Sequence, residues 1–292
     1  MTETFKGTLF ALLAVAMFAT LGTGFKMAVT RMSSFSVVVW IAIWATLALF
    51  FILIRERRVS AIVSEFRQRP FFFPVAGMIG LGVQQLLCLK TYEYIPASQA
   101  VILHYTYPLM MLLLSWLFFR EKTGWWALCC VVLGFAGVFV LVSAGGGVGD
   151  LQLSIGVAVA LGTAFSFALF CVLIKHASFS VTPGMFLLNL FGLLFLLCLQ
   201  SIYPMQWSIS GTDLLLVAYL GIFPTAVAFI LWNKALRMIP TGRSSNCALL
   251  VPILSLVFIT VILKEQITLM QAVGMSIVLL SVFLNVRLTG QA

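Results

Sequence analysis

The chain has 292 residues, of which 62% are hydrophobic and 9% are charged, and its formal net charge is +9. Soluble domains are typically about 25% charged, so this composition excludes a soluble enzyme or binding domain and predicts a polytopic membrane protein. The positive charge does not indicate nucleic-acid binding, because the basic residues lie at the ends of apolar runs, where they set membrane orientation.

Ten apolar runs are bounded by charged or turn residues, and each is long enough to cross a bilayer, which takes about 20 residues. We therefore predict an all-α integral membrane protein with ten transmembrane helices. The predicted spans cover residues 7–30, 35–54, 71–90, 97–119, 124–143, 152–175, 182–203, 213–235, 243–263 and 268–288. The first run follows Lys6 like a signal peptide, but we expect it to be retained because Phe18 and Lys26 have counterparts in the second half.

One stretch of the chain occurs twice. Residues 90–121 return without a gap 144 positions later, as residues 234–265, and both copies hold an Ile-Pro step, a later proline and a final basic-acidic pair. Repeats of this kind decide the architecture. We predict a first repeat over residues 1–143, a glycine-rich linker over residues 144–151 and a second repeat over residues 152–292.

The distribution of Lys and Arg predicts the orientation of the chain. With the N-terminus inside, 13 of the 17 basic residues fall on the inner side and 4 on the outer side, so both termini are expected in the cytoplasm. Because five spans per repeat is an odd number, the second repeat enters the membrane inverted. Two inverted repeats around a central cavity are the architecture of secondary transporters that work by alternating access.

These residues also carry a family resemblance, which covers the whole chain. The chain resembles the EamA-type ten-span exporters of the drug/metabolite transporter superfamily in two segments, Ile95-Pro96-Ala97 through Pro108 to Glu121 and Ile239-Pro240-Thr241 through Pro252 to Glu265. Its length, termini and aromatic-rich first half resemble the YddG-type exporters of aromatic amino acids. The resemblance implies a basket-like bundle in the cell inner membrane. It further implies a cavity walled by spans 1–4 and 6–9, with spans 5 and 10 at the back, where a homodimer would form.

Four residues are predicted to bend the helices. Pro108 and Pro252 lie in the middle of spans 4 and 9, where each proline removes one backbone hydrogen bond. Gly80 and Pro224 form a second pair at the same spacing of 144. Such bends either shape a cavity that opens and closes or are ordinary kinks of membrane helices, and the repeat pairing favours the first interpretation.

His104 is the deepest titratable residue of the predicted spans. Intramembrane ionisable groups mark functional sites by default, although a neutral histidine can simply bind a neighbouring carbonyl. Tyr105 and Tyr107 flank it, and at least one of the three is expected to face the cavity.

Further candidates are uncharged polar and indole side chains within apolar spans. Each is expected either to join helices or to contact a solute, because exposing polar groups to lipid is costly. These cavity candidates are Gln84, Gln85, Trp44, Asn189, Trp232, Asn233 and Asn246. Lys26 and Lys175 end spans 1 and 6 and either reach the interface or attract a carboxylate at the mouths of the path.

Several kinds of chemistry are not indicated. The sequence has no phosphate-binding loop, no HExxH or GxSxG motif and no metal-ligand spacing, so we predict no cofactor, no metal and no enzymatic activity. All eight acidic residues lie in loops or at span ends, which predicts facilitated diffusion or exchange without ion coupling.

The sequence therefore predicts a carrier that exports small metabolites, most specifically neutral or aromatic amino acids, and whose partners are a small solute and the bilayer. A multidrug or other-metabolite exporter of the same fold is the alternative. An intramembrane enzyme is a different class, and it would need paired acids, a metal cluster or an activated nucleophile within the spans.

Overall fold

The computed structural model describes residues 3–119, 125–144, 151–175, 177–239, 247 and 250–289, and these residues form helices without a β-strand. Asn246, Pro240, Glu121 and most of the predicted linker lie outside them.

The first half forms nine helices that follow the apolar runs. Ser33 and the Ile95-Pro96 step explain two of the boundaries. Ser33 caps the N-terminus of α3 by accepting a hydrogen bond from the Ser36 amide. Ile95 is extended, as residues before proline are, and this separates α6 from α7. The helices are α1 Glu3–Ala19, α2 Leu21–Val29, α3 Ser34–Arg55, α4 Ser60–Gln68, α5 Phe72–Gly77, α6 Gln84–Tyr94, α7 Ala97–His104, α8 Tyr107–Phe119 and α9 Trp125–Ala144.

The second half repeats these boundary signals. Ser210 caps α12 through the Asp213 amide, and Ile239 is extended before Pro240. The helices are α10 Leu151–Lys175, α11 Val181–Cys198, α12 Gly211–Leu220, α13 Ala228–Met238, α14 Leu250–Phe258 and α15 Leu269–Thr289.

Seven helical stretches are long and apolar enough to cross a membrane, namely Phe5–Val29, Ser34–Arg55, Phe72–Tyr94, Ala97–Phe118, Ile155–Ile174, Val181–Ser201 and Gly211–Ala235. Three shorter apolar helices, Leu128–Leu141, Leu250–Leu263 and Leu269–Asn285, coincide with predicted spans 5, 9 and 10. Seven of the predicted spans are thus supported by length and composition, and the total of ten stays a prediction.

Several spans are interrupted inside the membrane. Three π-helical segments, Met78–Val83, Gly221–Val227 and Ile259–Leu263, follow α5, α12 and α14. The first two hold the predicted bend points Gly80 and Pro224. Gly80 is required by packing, because a Cβ atom there would lie 2.1 Å from a ring carbon of Phe170. Interrupted helices at membrane depth are tolerated where protein or a cavity surrounds the freed backbone groups.

Pro108 does not produce the simple mid-helix kink that the sequence predicts. The helix stops at His104 and restarts at Tyr107, so Pro108 is the second residue of α8. The Thr106 amide binds the Leu103 carbonyl in a turn, which leaves the fourth span in two pieces. Pro252 is the third residue of α14.

Hydrogen bonds and ion pairs identify the two ends of the bundle. At one end, Lys234 lies 3.8 Å from Glu56, and we call this the connector end because it holds the connection from Arg55 to Phe71. At the other end, Arg31 lies 3.2 Å from Asp213. We call this second end the Glu265 end, after the glutamate whose carboxylate binds the start of α7 there. At each of these ends the ion pair joins the two halves of the chain.

The connection at the connector end, which lies between predicted spans 2 and 3, contains the helix α4. Helix α4 packs Phe66 against Phe191 of α11, with stacked rings 5.5 Å apart. Before it, Arg57 adopts a left-handed backbone conformation with φ 53°. This conformation costs a residue other than glycine roughly 1–2 kcal/mol.

Helices α9 and α15, the predicted spans 5 and 10, pack closely against each other through glycine. A Cβ atom on Gly274 would lie 2.6 Å from the Leu141 amide nitrogen, and one on Gly137 would lie 2.8 Å from the Val278 amide nitrogen. Small residues let two membrane helices approach in this way. Whether the outer faces of this pair form a homodimer stays a prediction.

Candidate functional site

A cavity of about 220 Å³ lies between the two halves of the bundle. It is lined by aromatic rings, two glutamines, a histidine and a serine, and its described lining holds no Asp, Glu, Lys or Arg. The lining residues come from α1, α2, α6, α7, the turn at Tyr105, α8, α10, α13 and α14.

Six of the predicted cavity residues are brought together here. They are Gln84, Gln85, His104, Tyr105, Tyr107 and Trp232. The break in the fourth span places three of them, because His104 ends α7, Tyr105 lies in the turn and Tyr107 begins α8.

Aromatic contacts join the two halves around this cavity. Tyr107 meets Phe167 edge to face with ring centroids 4.8 Å apart, and Phe18 meets Phe229 in the same way at 5.1 Å. Such pairs contribute about 0.5–1.5 kcal/mol beyond the area they bury. The cavity walls are therefore also a contact surface between the halves.

His104 lies against this aromatic wall. Its ring centroid is 5.2 Å from that of Phe167 and 5.7 Å from that of Tyr107. Its Nδ1 atom is buried and has no hydrogen-bond partner among the described residues. A buried polar atom without a partner costs about 1–3 kcal/mol, and a solute in the cavity can offset that cost by binding it.

The lining includes four repeat-related pairs. Gln85 and Phe229, Cys88 and Trp232, and Tyr107 and Val251 are each separated by 144 positions, and all six residues line the cavity. Phe18 and Phe167, separated by 149, form a fourth pair. The cavity thus lies where equivalent faces of the two halves meet.

Three other predicted cavity residues lie elsewhere. The Asn189 side chain donates to the Met185 carbonyl of its own helix, and Trp44 packs beside Gly221. Asn233 lines a larger groove of about 660 Å³ at the connector end together with Glu56 and Lys234. Helices α3 and α11 accordingly contribute no lining residue among those described, contrary to the expectation that spans 2 and 7 wall the cavity.

The predicted mouth charge Lys26 is held at the Glu265 end. Its ammonium group donates to the Tyr92 carbonyl at 2.7 Å and to the Ile95 carbonyl at 3.3 Å. A cation there stabilises the C-terminal end of α6. Lys175 is the last residue of α10, and its side chain is outside the described part of the structure.

Glu265 is a site residue that the sequence analysis did not select. Its carboxylate accepts hydrogen bonds from the Ala97 amide at 2.8 Å and from the Ser98 amide at 3.0 Å, so it caps the N-terminus of α7 from the other half of the chain. It shares a pocket of about 360 Å³ with Lys26. The repeat offered a signal, because Glu265 pairs with Glu121.

Phe18 and Phe167 are further lining residues that were not selected. The sequence analysis used Phe18 only as a residue with a counterpart in the second half, and that counterpart is Phe167, 149 positions later. The matched positions of Phe18 and Phe167 in the two halves were the signal that could have identified them.

The all-helical fold agrees with a comparison against known families. The model of the EamA-like transporter family matches residues 5–143 and 154–287. The chain belongs to this family. EamA-like proteins are part of the drug/metabolite transporter superfamily, so the protein is a membrane transporter.

Relatives of this EamA-like transporter carry similar descriptions. The uncharacterized transporter YvbV of Bacillus subtilis (strain 168) is 31% identical over 201 residues, which cover 66% of this chain and 64% of that protein, slightly less than two thirds of its length. An uncharacterized transporter of Clostridium kluyveri is 21% identical over 96% of this chain and 93% of its own. One crystal structure superimposes with a TM-score of 0.66 at 20% identity over 95% of each chain, which shows the fold alone.

Proposed function

We propose that this transporter exports small neutral or aromatic amino acids by alternating access, without coupling to an ion. The observation that carries the proposal is the uncharged, aromatic-lined cavity between the two halves. Aromatic faces suit an apolar side chain and attract an ammonium group. The amides of Gln84 and Gln85 and the His104 ring offer hydrogen bonds to the backbone groups of the solute.

The size of the cavity favours a metabolite over a drug. Its volume of about 220 Å³ is below the range of roughly 300–1,000 Å³ that holds drug-sized ligands. A cationic drug would also be expected to meet a carboxylate, and the described lining has none. A YddG-like amino-acid exporter therefore fits better than a multidrug exporter.

Alternating access is supported by the contacts at the two ends. Glu265 holds α7 across the halves at one end, and Lys234 pairs with Glu56 at the other. Both contacts use exposed or half-buried charges that can exchange partners with water. We infer that these contacts break and form in alternation, while the cavity between them keeps the solute.

The first experiment measures uptake of labelled phenylalanine, tryptophan, threonine and methionine into liposomes that contain the purified protein, without a proton or sodium gradient. Saturable flux that depends on the protein is the expected result, with the aromatic solutes competing best. The matched pair of variants is Trp232→Phe, which alters the cavity, and Trp40→Phe, whose indole donates to the Gln206 carbonyl outside it. Only Trp232→Phe is expected to change the half-saturating concentration.

Two results would redirect the proposal. Flux that appears only with an imposed pH gradient would contradict uncoupled transport and point to His104 or Glu265 as the proton site. Absence of amino-acid flux under both conditions, with flux of a larger apolar compound, would favour the multidrug alternative.

The proposed cytoplasmic location of both termini is checked separately by labelling single cysteines placed near each terminus with an impermeant reagent on intact cells.

A further inference from the structure

We propose that the connection between α3 and α5 is a binding surface for anionic phospholipid headgroups. The surface comprises residues 55–71 and is centred on helix α4. The inference concerns a lipid partner and does not depend on which solute the transporter carries.

The charges of this surface are unbalanced. It holds five arginines, Arg55, Arg57, Arg58, Arg67 and Arg69, and two acids, Glu56 and Glu65. Both acids are occupied by the second half of the chain, since Glu56 pairs with Lys234 at 3.8 Å and Glu65 accepts a hydrogen bond from the Ser180 amide at 3.0 Å. Within the part of the chain that the structure describes, none of the five arginines forms an ion pair. The arginines therefore lack the anion that would complement them.

Helix α4 has the two faces of a helix that lies in a membrane interface. One face packs Ile62 and Phe66 onto the core formed with α11. The other face presents Val59, Val63 and Arg67, which are spaced four residues apart and are all exposed. An apolar strip beside basic residues binds at the boundary between headgroups and acyl chains.

The position of the surface agrees with that boundary. Phe71, which follows the connection, is 84% exposed, and Val63 is 54% exposed. Phe71 lies two residues after Arg69 and directly before the membrane-crossing helix Phe72–Tyr94, and Val63 lies one turn before Arg67 on α4. Guanidinium groups bind phosphate with paired hydrogen bonds, so a phosphatidylglycerol-type lipid satisfies the arginines and the apolar strip at once.

Arg57 and Arg58 lie in the turn that leads from α3 to α4. Arg57 adopts a left-handed backbone conformation with φ 53°. Among the described non-glycine residues, only Lys264 shares this conformation, with φ 56°. Glycine is the residue usually found at this position after a helix. The turn leaves Arg57 and Arg58 exposed at adjacent positions, where both are available to a headgroup phosphate.

The test titrates the purified full-length protein with dioleoylphosphatidylglycerol or dioleoylphosphatidylcholine and counts bound lipids by native mass spectrometry. The wild-type chain is expected to bind the first phosphatidylglycerol at least tenfold more tightly than phosphatidylcholine. Each of Arg57→Gln, Arg58→Gln and Arg67→Gln is expected to weaken phosphatidylglycerol binding about fivefold, and the three together to remove the preference. Arginine-to-lysine variants keep the charge but lose the paired hydrogen bonds, so they are expected to retain only part of the preference.

The matched controls are Arg31→Gln and Lys264→Gln, which remove one exposed positive charge each at the Glu265 end. They are expected to leave lipid binding unchanged. Equal affinity for the two lipids, or an equal loss from Arg31→Gln and Arg67→Gln, would overturn the proposal, as would displacement of the lipid by free glycerol phosphate.

A separate variant distinguishes a loss of lipid binding from a loss of folding stability. Arg57→Gly suits the left-handed backbone, so its thermal unfolding temperature is expected to match or exceed that of the wild type while its phosphatidylglycerol affinity falls about fivefold. A stable Arg57→Gly variant with undiminished affinity would show that Arg57 binds no headgroup and would contradict the proposal.

Discussion

His104 shows how a single residue in this cavity can be both a structural cost and a binding group. Its Nδ1 atom is buried without a described partner, and its ring packs on Tyr107 and Phe167. A histidine that served only packing would be replaceable by phenylalanine with a gain in stability, because the unpartnered nitrogen would be lost. Retaining the nitrogen makes sense if the solute binds it.

We therefore predict that His104→Phe leaves the folded protein as stable as the wild type or more stable, and raises the half-saturating solute concentration about five- to twentyfold. The lost hydrogen bond corresponds to about 1–2 kcal/mol. Thermal unfolding and liposome flux are the two measurements. A stable variant with unchanged half-saturation would show that the nitrogen does not contact the solute.

At the scale of elements, the junction between α6 and α7 joins the halves through backbone groups. Lys26 binds carbonyl groups at the end of α6, and Glu265 binds amide groups at the start of α7. Helix ends leave such groups without partners inside the helix, so the two charges satisfy both sides of one Ile-Pro step. The position of α7, and with it His104, depends on Glu265.

Glu265→Gln is expected to weaken this junction by about 1 kcal/mol, because an amide interacts less favourably with the helix N-terminus than a carboxylate does. The thermal midpoint is expected to fall by about 2–4 °C. A cysteine introduced as Ser98→Cys, a position that is 4% exposed in the wild type, is expected to react faster with an impermeant thiol reagent when Glu265→Gln is present.

The control for that experiment is Glu93→Gln, which removes an acid at the same end whose partners, Ser34 and Lys90, belong to the first half. It is expected to leave the reactivity of the introduced cysteine unchanged. Equal acceleration by both variants would attribute the effect to lost charge and not to the contact between halves.

The sequence predicted the run of apolar helices well and the facing of individual side chains less well. The described spans begin and end within a few residues of the predicted ones, because charges, Ser caps and Ile-Pro steps mark the boundaries. The structure places Trp44 and Asn189 outside this cavity, and the sequence could not show this because α3 and α11 are predominantly apolar and carry no pattern that fixes their rotation. Asn189 also satisfies its own amide within its helix. The break before Tyr107 and the helix α4 depend on tertiary contacts, which the amino-acid sequence alone does not reveal.

At the scale of the whole molecule, the cavity is the place where the halves meet. Its walls combine Phe18 and Tyr107 of the first half with Phe229 and Phe167 of the second. A relative movement of the halves must therefore change the shape of the cavity, which links solute binding to the contacts at both ends. The access of water-soluble reagents to the cavity can be measured at Cys88, which lines it.

Cys88 lines the cavity, whereas Cys198 is exposed outside it. We predict that a small methanethiosulfonate reagent modifies Cys88 more slowly than Cys198, and that saturating phenylalanine slows the reaction of Cys88 at least fivefold while leaving Cys198 unaffected. Peptide mass mapping measures both rates in one sample. Equal rates for Cys88 with and without each tested amino acid would contradict binding in this cavity.

The two π-helical segments Met78–Val83 and Gly221–Val227 stand at equivalent places in the gap-free register of 144 positions. A π turn holds one residue more than an α turn, because its hydrogen bonds run from residue i to i+5. Each half therefore carries one wide turn at the corresponding place in the third of its five predicted spans, and π turns of this kind are frequent at functional sites.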